Sequence, residues 1–283
     1  MTKAWFEEKL YPHVRQGFAI SKILHRARSE HQDLIVFETP VYGRVLALDG
    51  VVQVTQQDEY VYHEMMSHVP ILAHGRAKRV LIVGGGDGGI LRETLRHKSV
   101  ERATLVEIDR AVVDMCRKWM PSVGGKAFDD KRAQIVIADG AKYVAETADR
   151  FDVVIVDSTD PIGPGEVLFT EAFYKGCKRC LTPGGILVNQ NGVPFLQPQE
   201  IPLTARRRRK AFGHASFYMA AVPSYYGGLM ALGFASDNAT ATAVPLATLK
   251  KRFAAAKLKT RYYTPELHGA SFALPAFVAA LVP

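Results

Sequence analysis

Long apolar runs are missing from this 283-residue chain, and so is any stapling pattern of cysteines. No stretch approaches the ~20 consecutive apolar residues that cross a bilayer, and Met1 to Glu8 carries no apolar signal core. No membrane partner is expected, and the protein is expected to be cytoplasmic. Only three cysteines occur, Cys116, Cys177 and Cys180, a number that suits a reducing compartment. Cys177 and Cys180 stand at Cys-x-x-Cys spacing, yet no second pair and no His-x-x-x-His accompanies them; the segment reads as a helix with buried sulfurs. His63 and His68 lie five apart, where a zinc-binding helix needs four, so no metal is expected there. Acids are the scarcer charge, 28 against 36 Lys and Arg, for a net charge of +8. The run Arg206-Arg207-Arg208-Arg209-Lys210 invites a nucleic-acid reading. It lacks interleaved aromatics and a recognisable binding module, and is expected to be a solvated helix face, with no nucleic acid as partner.

What is present is an ordinary globular composition, 48% hydrophobic and 23% charged, in a chain long enough for one large domain with an appendage or for two domains. Short apolar runs at residues 17–20, 33–38, 43–48 and 51–55 are punctuated by Pro40, Gly43 and Asp49-Gly50 and predict antiparallel strands, Asp-Gly being a strong hairpin signal. A small N-terminal antiparallel β-domain over residues 1–57 and a larger domain over 58–283 follow. Residues 59–72 carry apolar side chains at helical spacing and lead into the larger unit.

That unit is organised around Val80-Leu81-Ile82-Val83, then Gly84-Gly85-Gly86-Asp87-Gly88-Gly89, then Ile90-Leu91-Arg92-Glu93. Strand-forming residues run into a glycine turn and on into helix formers, as in a nucleotide-binding unit. Asp87 sits among the turn's unpaired N–H groups, where it would repel a pyrophosphate. The turn therefore suits a ligand that presents a cation or a donor. Further strands at 103–109, 133–140, 151–157 and 185–190 alternate with helices, which implies the α/β class, a parallel sheet covered by helices on both faces. Ligands of such sheets bind beyond the carboxyl ends of the strands, and these strands end in Glu107, Asp139, Asp157 and Gln190.

Glu107 follows the glycine loop by about twenty residues, the spacing of an acid that holds ribose hydroxyls. Asp139-Gly140 fits recognition of an exocyclic amine and also fits a helix N-cap. The loop Asp157-Ser158-Thr159-Asp160-Pro161-Ile162-Gly163-Pro164-Gly165 reads as an ordered lid, or as a turn with Asx capping. An amine nucleophile must lose a proton, and a partly buried Asp157 can accept it while Asp160 binds the cation.

On Trp5, His31-Gln32-Asp33, residues 48–53 and 58–64, the glycine loop, Glu107-Ile108-Asp109, Asp139-Gly140, the loop from Asp157 to Pro164, and Pro223-Ser224-Tyr225-Tyr226-Gly227-Gly228, the chain resembles the polyamine aminopropyltransferases, the family of the bacterial spermidine synthases. The resemblance implies a Rossmann-like methyltransferase-type fold, no metal, no permanently bound cofactor, and a homodimer or higher homo-oligomer. It implies transfer of an aminopropyl group from decarboxylated S-adenosylmethionine to putrescine, giving spermidine and methylthioadenosine. Gln32, His63, Asp87, Glu107, Asp139, Gly140 and Pro164 would bind the nucleoside co-substrate, and Asp157 would accept the proton. Tyr62, Asp157, Asp160, Gln190 and Tyr225 would line the diamine site, with Trp5 closing it.

The chemistry of the residues agrees. Decarboxylated S-adenosylmethionine carries a sulfonium and an amine but no carboxylate, so Asp87 attracts it and repels the parent compound. Loss of a neutral thioether needs no acid, which leaves alignment and deprotonation to the protein. The rival readings are a methyltransferase on the same fold, against which the paired acids count, and a non-catalytic polyamine- or nucleic-acid-binding protein. A nicotinamide enzyme is disfavoured by the loop's departure from the pyrophosphate fingerprint. The C-terminal stretch, residues 261–277, is left open between covering the sheet and covering a partner.

Overall fold

The computed structural model describes residues 4–159 and 163–283. Near the N-terminus β1 (Trp5–Glu8) pairs antiparallel with β2 (Gln16–Ala19). A four-stranded antiparallel sheet follows in chain order: β3 (Lys22–Arg28), β4 (Asp33–Thr39), β5 (Gly43–Leu48) and β6 (Val51–Thr55). Asp49 and Gly50 both have positive φ, 47° and 79°, which is the geometry that lets a two-residue turn follow the twist of β5 and β6. Two strands of this N-terminal region were not foreseen. β1 and β3 are short or studded with cations (Lys22-Ile23-Leu24-His25-Arg26-Ala27-Arg28), so their apolar alternation is weak.

The larger unit opens with α1 (Glu59–His74), almost wholly buried. Its seven-stranded sheet comprises β7 (Arg79–Gly84), β8 (Arg102–Glu107), β9 (Ala133–Ile137), β10 (Phe151–Asp157), β11 (Leu181–Gln190), β12 (His214–Ala221) and β13 (Leu229–Ser236). The order is β12-β13-β11-β10-β7-β8-β9. Strands β7 to β11 are parallel, but β13 pairs antiparallel with both β11 and β12. The strands anticipated from the sequence are thus parallel, and two that were not, β12 and β13, add an antiparallel edge, where a tight turn around residues 223–228 joins them as a hairpin in place of a helical crossover.

Helices α2 (Gly89–Leu95), α3 (Arg110–Trp119), α4 (Pro121–Gly124), α5 (Gly140–Glu146), α6 (Glu171–Cys180) and α7 (Glu200–Arg209) complete the architecture around the site. Alternate side chains of each central strand enter opposite cores. Val80, Ile82, Val153, Ile155 and Val188 pack with Met65, Met66 and Val69 of α1; Leu81, Val83, Val154, Val156 and Leu187 pack with Phe173, Tyr174, Cys177 and Cys180 of α6. At ~1.5–3 kcal/mol for each large apolar side chain buried, these two layers dominate the stability of the sheet. The sulfurs of Cys177 and Cys180 are core, and burial pushes both thiols above their usual range. The four-stranded sheet lays Leu34, Val36, Leu46 and Val54 over Val112, Met115 and Cys116 of α3.

Phe272 packs against Tyr218 and Phe234, with ring centroids 5.3 and 5.5 Å away, so this part of the C-terminal stretch covers the sheet. The basic run is not uniformly solvated either. Arg206, Arg209 and Lys210 are exposed, but Arg208 is fully buried because α7 turns that side chain toward the sheet. No helix among the described residues is long and apolar enough to cross a membrane.

Candidate active site

The chain runs from β7 to β8 and β9 on one side and from β10 to β11 on the other, so strand order reverses between β7 and β10. That switch point is where an open α/β sheet leaves a crevice beyond its strand ends. Here Gly84, last residue of β7, pairs with Asp157, last residue of β10, and Gly85 N–H donates to the Asp157 carbonyl at 3.2 Å. Gly84 has φ of 81°, and a Cβ there would lie 2.0 Å from that carbonyl oxygen. Both backbone and space therefore demand glycine. Gly84→Ala is expected to cost roughly 3 kcal/mol or more, read from the denaturant midpoint, because strain and a backbone clash coincide.

Four charged side chains meet at the glycine loop. Asp87 accepts from Gly89 N–H at 2.7 Å through Oδ1 and faces His63 Nε2 at 3.3 Å through Oδ2. His63 Nδ1 lies 2.6 Å from Glu59 Oε2, which also accepts from Arg92 Nη2 at 2.8 Å. Burial alone would lower the His63 pKa, but Asp87 and Glu59 outweigh it and hold the imidazole at about 10. His63 is then a doubly protonated imidazolium. Burial works against ionised Asp87 too, yet His63 and the Gly89 N–H hold that carboxyl below its usual range. Close approach of α1 to the loop needs Gly89, where a Cβ would fall 2.1 Å from the His63 ring.

Asp157 behaves in the opposite way. Burial, then the neighbouring Asp87 carboxylate, push its pKa up to about 7. Its Oδ1 accepts from the Tyr62 hydroxyl at 2.8 Å, and that phenol stays protonated because burial and Asp157 raise its own pKa well above normal. Two acids side by side, one kept ionised and one poised near neutrality, divide naturally into a cation holder and a proton acceptor. Ligand atoms of His63, Asp87 and Asp157 lie within 4.8 Å of one another, the spacing of a metal site. Both ring nitrogens of His63 are already engaged, by Glu59 and by Asp87, an arrangement in which the carboxylates suit an organic cation.

Toward β8 and β9 lie the groups expected to meet the nucleoside. Glu107, buried at the end of β8, accepts from Gly86 N–H at 3.2 Å and Asp109 N–H at 3.0 Å; burial raises its pKa. Gln32 reaches this corner from the four-stranded sheet and donates to Asp109 Oδ2 at 2.9 Å. Asp139 lies two residues past the end of β9 rather than in it, and its Oδ1 caps α5 by accepting from Ala141 and Lys142 N–H at 2.7 and 3.1 Å. Gly140, the next residue, opens α5 against Val83.

On the other side of Asp157 is a pocket that opens to solvent. Tyr62, Asp157, Gln190 and Tyr225 line it, as expected, with Thr159 and Gln53. Tyr62 and Tyr225 meet edge to face at 5.9 Å, and the Tyr225 hydroxyl donates to the Gln53 carbonyl at 2.6 Å. Trp5 is not among the lining residues. It is 58% exposed on β1, with its ring against Gly17, because strand alternation turns it away from the pocket. The N-terminal segment instead contributes Glu8, Leu10 and Tyr11, and the loop after β11 contributes Gln197. Glu8 is 2% exposed and accepts from Val52 N–H at 2.8 Å, burial that a Glu7-Glu8 pair on a short strand does not advertise. Asp160 and the side chain of Pro164 lie outside the described residues.

Comparison with known proteins matches this arrangement along its length. The spermine/spermidine synthase domain matches residues 59–245, and the spermidine synthase tetramerisation domain matches residues 4–56. The chain belongs to the spermidine synthase family. It is 55% identical to polyamine aminopropyltransferase 1 of Pseudomonas aeruginosa, over 96% of both chains, and 55% identical to the polyamine aminopropyltransferase of a Ruegeria species over the whole of both. A spermidine synthase solved in complex with the transition-state analogue AdoDATO superposes with a TM-score of 0.93 at 38% identity, covering 100% of this chain and 96% of that one. The spermidine synthase of Thermotoga maritima gives 0.91 at 36% identity, covering 100% and 95%. The chain is thus an aminopropyltransferase by family, on a mixed α/β fold with a small N-terminal antiparallel β region.

Proposed function

We propose that this protein is a spermidine synthase that transfers the aminopropyl group of decarboxylated S-adenosylmethionine to putrescine, with Asp157 as proton acceptor. The observation that carries the reading is the position of Asp157. It forms a shared wall, bounded by the glycine loop and Asp87 on one side and by Tyr62, Gln190 and Tyr225 on the other. The nucleoside of the co-substrate lies along Gln32, Glu107, Asp139 and Gly140, its propylamine ammonium near Asp87. Putrescine extends between the two tyrosine rings, whose faces suit a methylene chain with a cationic end. The complex of a relative with AdoDATO supports this choice of co-substrate.

In the reaction the acceptor amine gives its proton to Asp157 and attacks the methylene next to sulfur. The C–S bond breaks with its electron pair on sulfur, and methylthioadenosine leaves as a neutral thioether. Tyr62 keeps the carboxylate aimed, and enclosure of both substrates provides the alignment. Trp5 and Asp160 are not needed for this assignment. The N-terminal match to a tetramerisation domain supports a homo-oligomer, a dimer or larger.

The pH profile tests the proton acceptor. Asp157 works only when ionised, and its pKa is about 7. The kcat/KM for the sulfonium co-substrate, which reports the free enzyme, is expected to fall about tenfold per pH unit below that value and to level off above it. A profile that stays flat between pH 5.5 and 8 contradicts the assignment.

A further inference from the structure

The basic run on α7 places one cation in the interior. Arg208 is 0% exposed, and its guanidinium finds neutral partners. Nη1 donates to Asn189 Oδ1 at 2.9 Å and to Asn191 Oδ1 at 2.7 Å, and the guanidinium carbon stands 4.4 Å from the centroid of the Phe217 ring. Nε and Nη2 make no well-formed hydrogen bond among the described residues, with the Tyr174 hydroxyl beside the guanidinium. Burying a cation against two amides and a ring is costly, and an apolar side chain of similar length would stabilise the same site better. The chain nevertheless makes room for it. Gly233 lies opposite Asn189 across β11 and β13, where a Cβ would fall 2.2 Å from Arg208 Nη1.

The two amides that Arg208 holds flank Gln190, which points the other way, into the acceptor pocket. Asn189 Nδ2 donates to the Gln190 carbonyl at 2.8 Å and to Asn191 Oδ1 at 3.1 Å, while Asn191 Nδ2 donates to Thr204 Oγ1 at 3.1 Å. Gln190 in turn donates through Nε2 to the Thr159 carbonyl at 3.1 Å and accepts at Oε1 from Gly192 N–H at 2.9 Å. Hydrogen bonds therefore tie Arg208 through Asn189 to the Gln190 backbone, and the Gln190 side chain carries the link on to Thr159, two residues past Asp157.

We propose that Arg208 is a positioning residue for the acceptor pocket: by clamping Asn189 and Asn191 it fixes Gln190, and through Gln190 the backbone of Thr159 beside Asp157. This rests on the reading of that pocket as the diamine site. The nucleoside crevice lies on the far side of Asp157, so the effect falls on the acceptor alone.

The test uses the full-length enzyme with Arg208→Met, Arg208→Lys and Thr204→Val, measuring steady-state kinetics with putrescine, methylthioadenosine affinity and Tm. Arg208→Met is expected to raise the putrescine KM at least tenfold, to lower kcat less than threefold and to leave methylthioadenosine affinity within twofold. Arg208→Lys, which keeps the charge but reaches one amide, falls between. Thr204→Val keeps Arg208, removes the acceptor of Asn191 Nδ2 together with the Thr204 donation to the Glu200 carbonyl, and is expected to raise the KM severalfold. A purely structural role would lower Tm and yield while the folded fraction kept its KM, and that result overturns the proposal. Should Arg208→Met fail to fold, Thr204→Val decides, a KM within twofold of the parent being the contrary outcome. A parent that does not turn over putrescine removes the pocket reading and this inference with it; a parent that does, with unchanged KM in every variant, removes the inference alone.

Discussion

Asp157→Asn is expected to lower kcat about a thousandfold or more while raising Tm by several degrees at pH 8. The first effect follows from losing the one carboxylate among the described residues that is bounded by both the glycine loop and the diamine pocket, general-base catalysis being worth roughly 10²–10⁴. The second follows from linkage. The Asp157 pKa is about 7 in the folded protein, far above that of an exposed aspartate, so the folded state binds the extra proton. Below pH ~4 the carboxyl is protonated in both states and costs nothing; as pH rises toward 7 folding is progressively penalised, and above 7 the whole penalty applies. Asparagine keeps an acceptor for the Tyr62 hydroxyl and removes the buried charge. The gain in Tm is therefore largest at pH 8 and vanishes near pH 4. Steady-state assay and thermal unfolding of the same preparations check both, and a variant within tenfold of the parent kcat shows that another group takes the proton.

The second large effect belongs to Asp87. Asp87→Asn is expected to lower kcat/KM for decarboxylated S-adenosylmethionine about a hundredfold, the ~2–5 kcal/mol typical of removing one partner from a buried charge pair. Ordinary S-adenosylmethionine, whose carboxylate Asp87 is proposed to repel, is expected to gain relative to it, so discrimination between the two should narrow at least tenfold in competition assays. The substitution also acts on Asp157, because the Asp87 carboxylate is one of the forces raising its pKa. With that negative charge gone, ionised Asp157 is easier to form and the acid limb of the pH profile moves below 7. Unchanged discrimination, or a limb that stays in place, separates Asp87 from these roles.

Much of this site is legible in the sequence because strand ends and glycine turns are local signals. Val80 to Glu93 encodes its own strand, turn and helix, and the residue at the end of β10 had to face the crevice once the sheet was parallel there. Tyr62, Gln190 and Tyr225 came from the family resemblance, and they do meet in one pocket. What stayed hidden depends on long-range packing. His63 came only from the family resemblance, and its charge network forms when the glycine loop brings Asp87 to it and Arg92 of α2 reaches its partner Glu59. Trp5 and Glu8 lie on one short strand, and only the docking of β1 decides that Glu8 and Tyr11, not Trp5, reach the pocket. Arg208 sits among four other cations that disguise it; its burial follows from the phase of α7 against the sheet. Acceptor length is written more finely still, since one methylene in a pocket is worth only ~1–3 kcal/mol.

The most direct test of the central claim is an assay of the purified protein with decarboxylated S-adenosylmethionine and putrescine, counting methylthioadenosine and spermidine together. The predicted result is release of the two products in equal amounts, dependent on putrescine and abolished when ordinary S-adenosylmethionine replaces the decarboxylated form. Methylthioadenosine release indifferent to putrescine, or methyl transfer from ordinary S-adenosylmethionine, would contradict it.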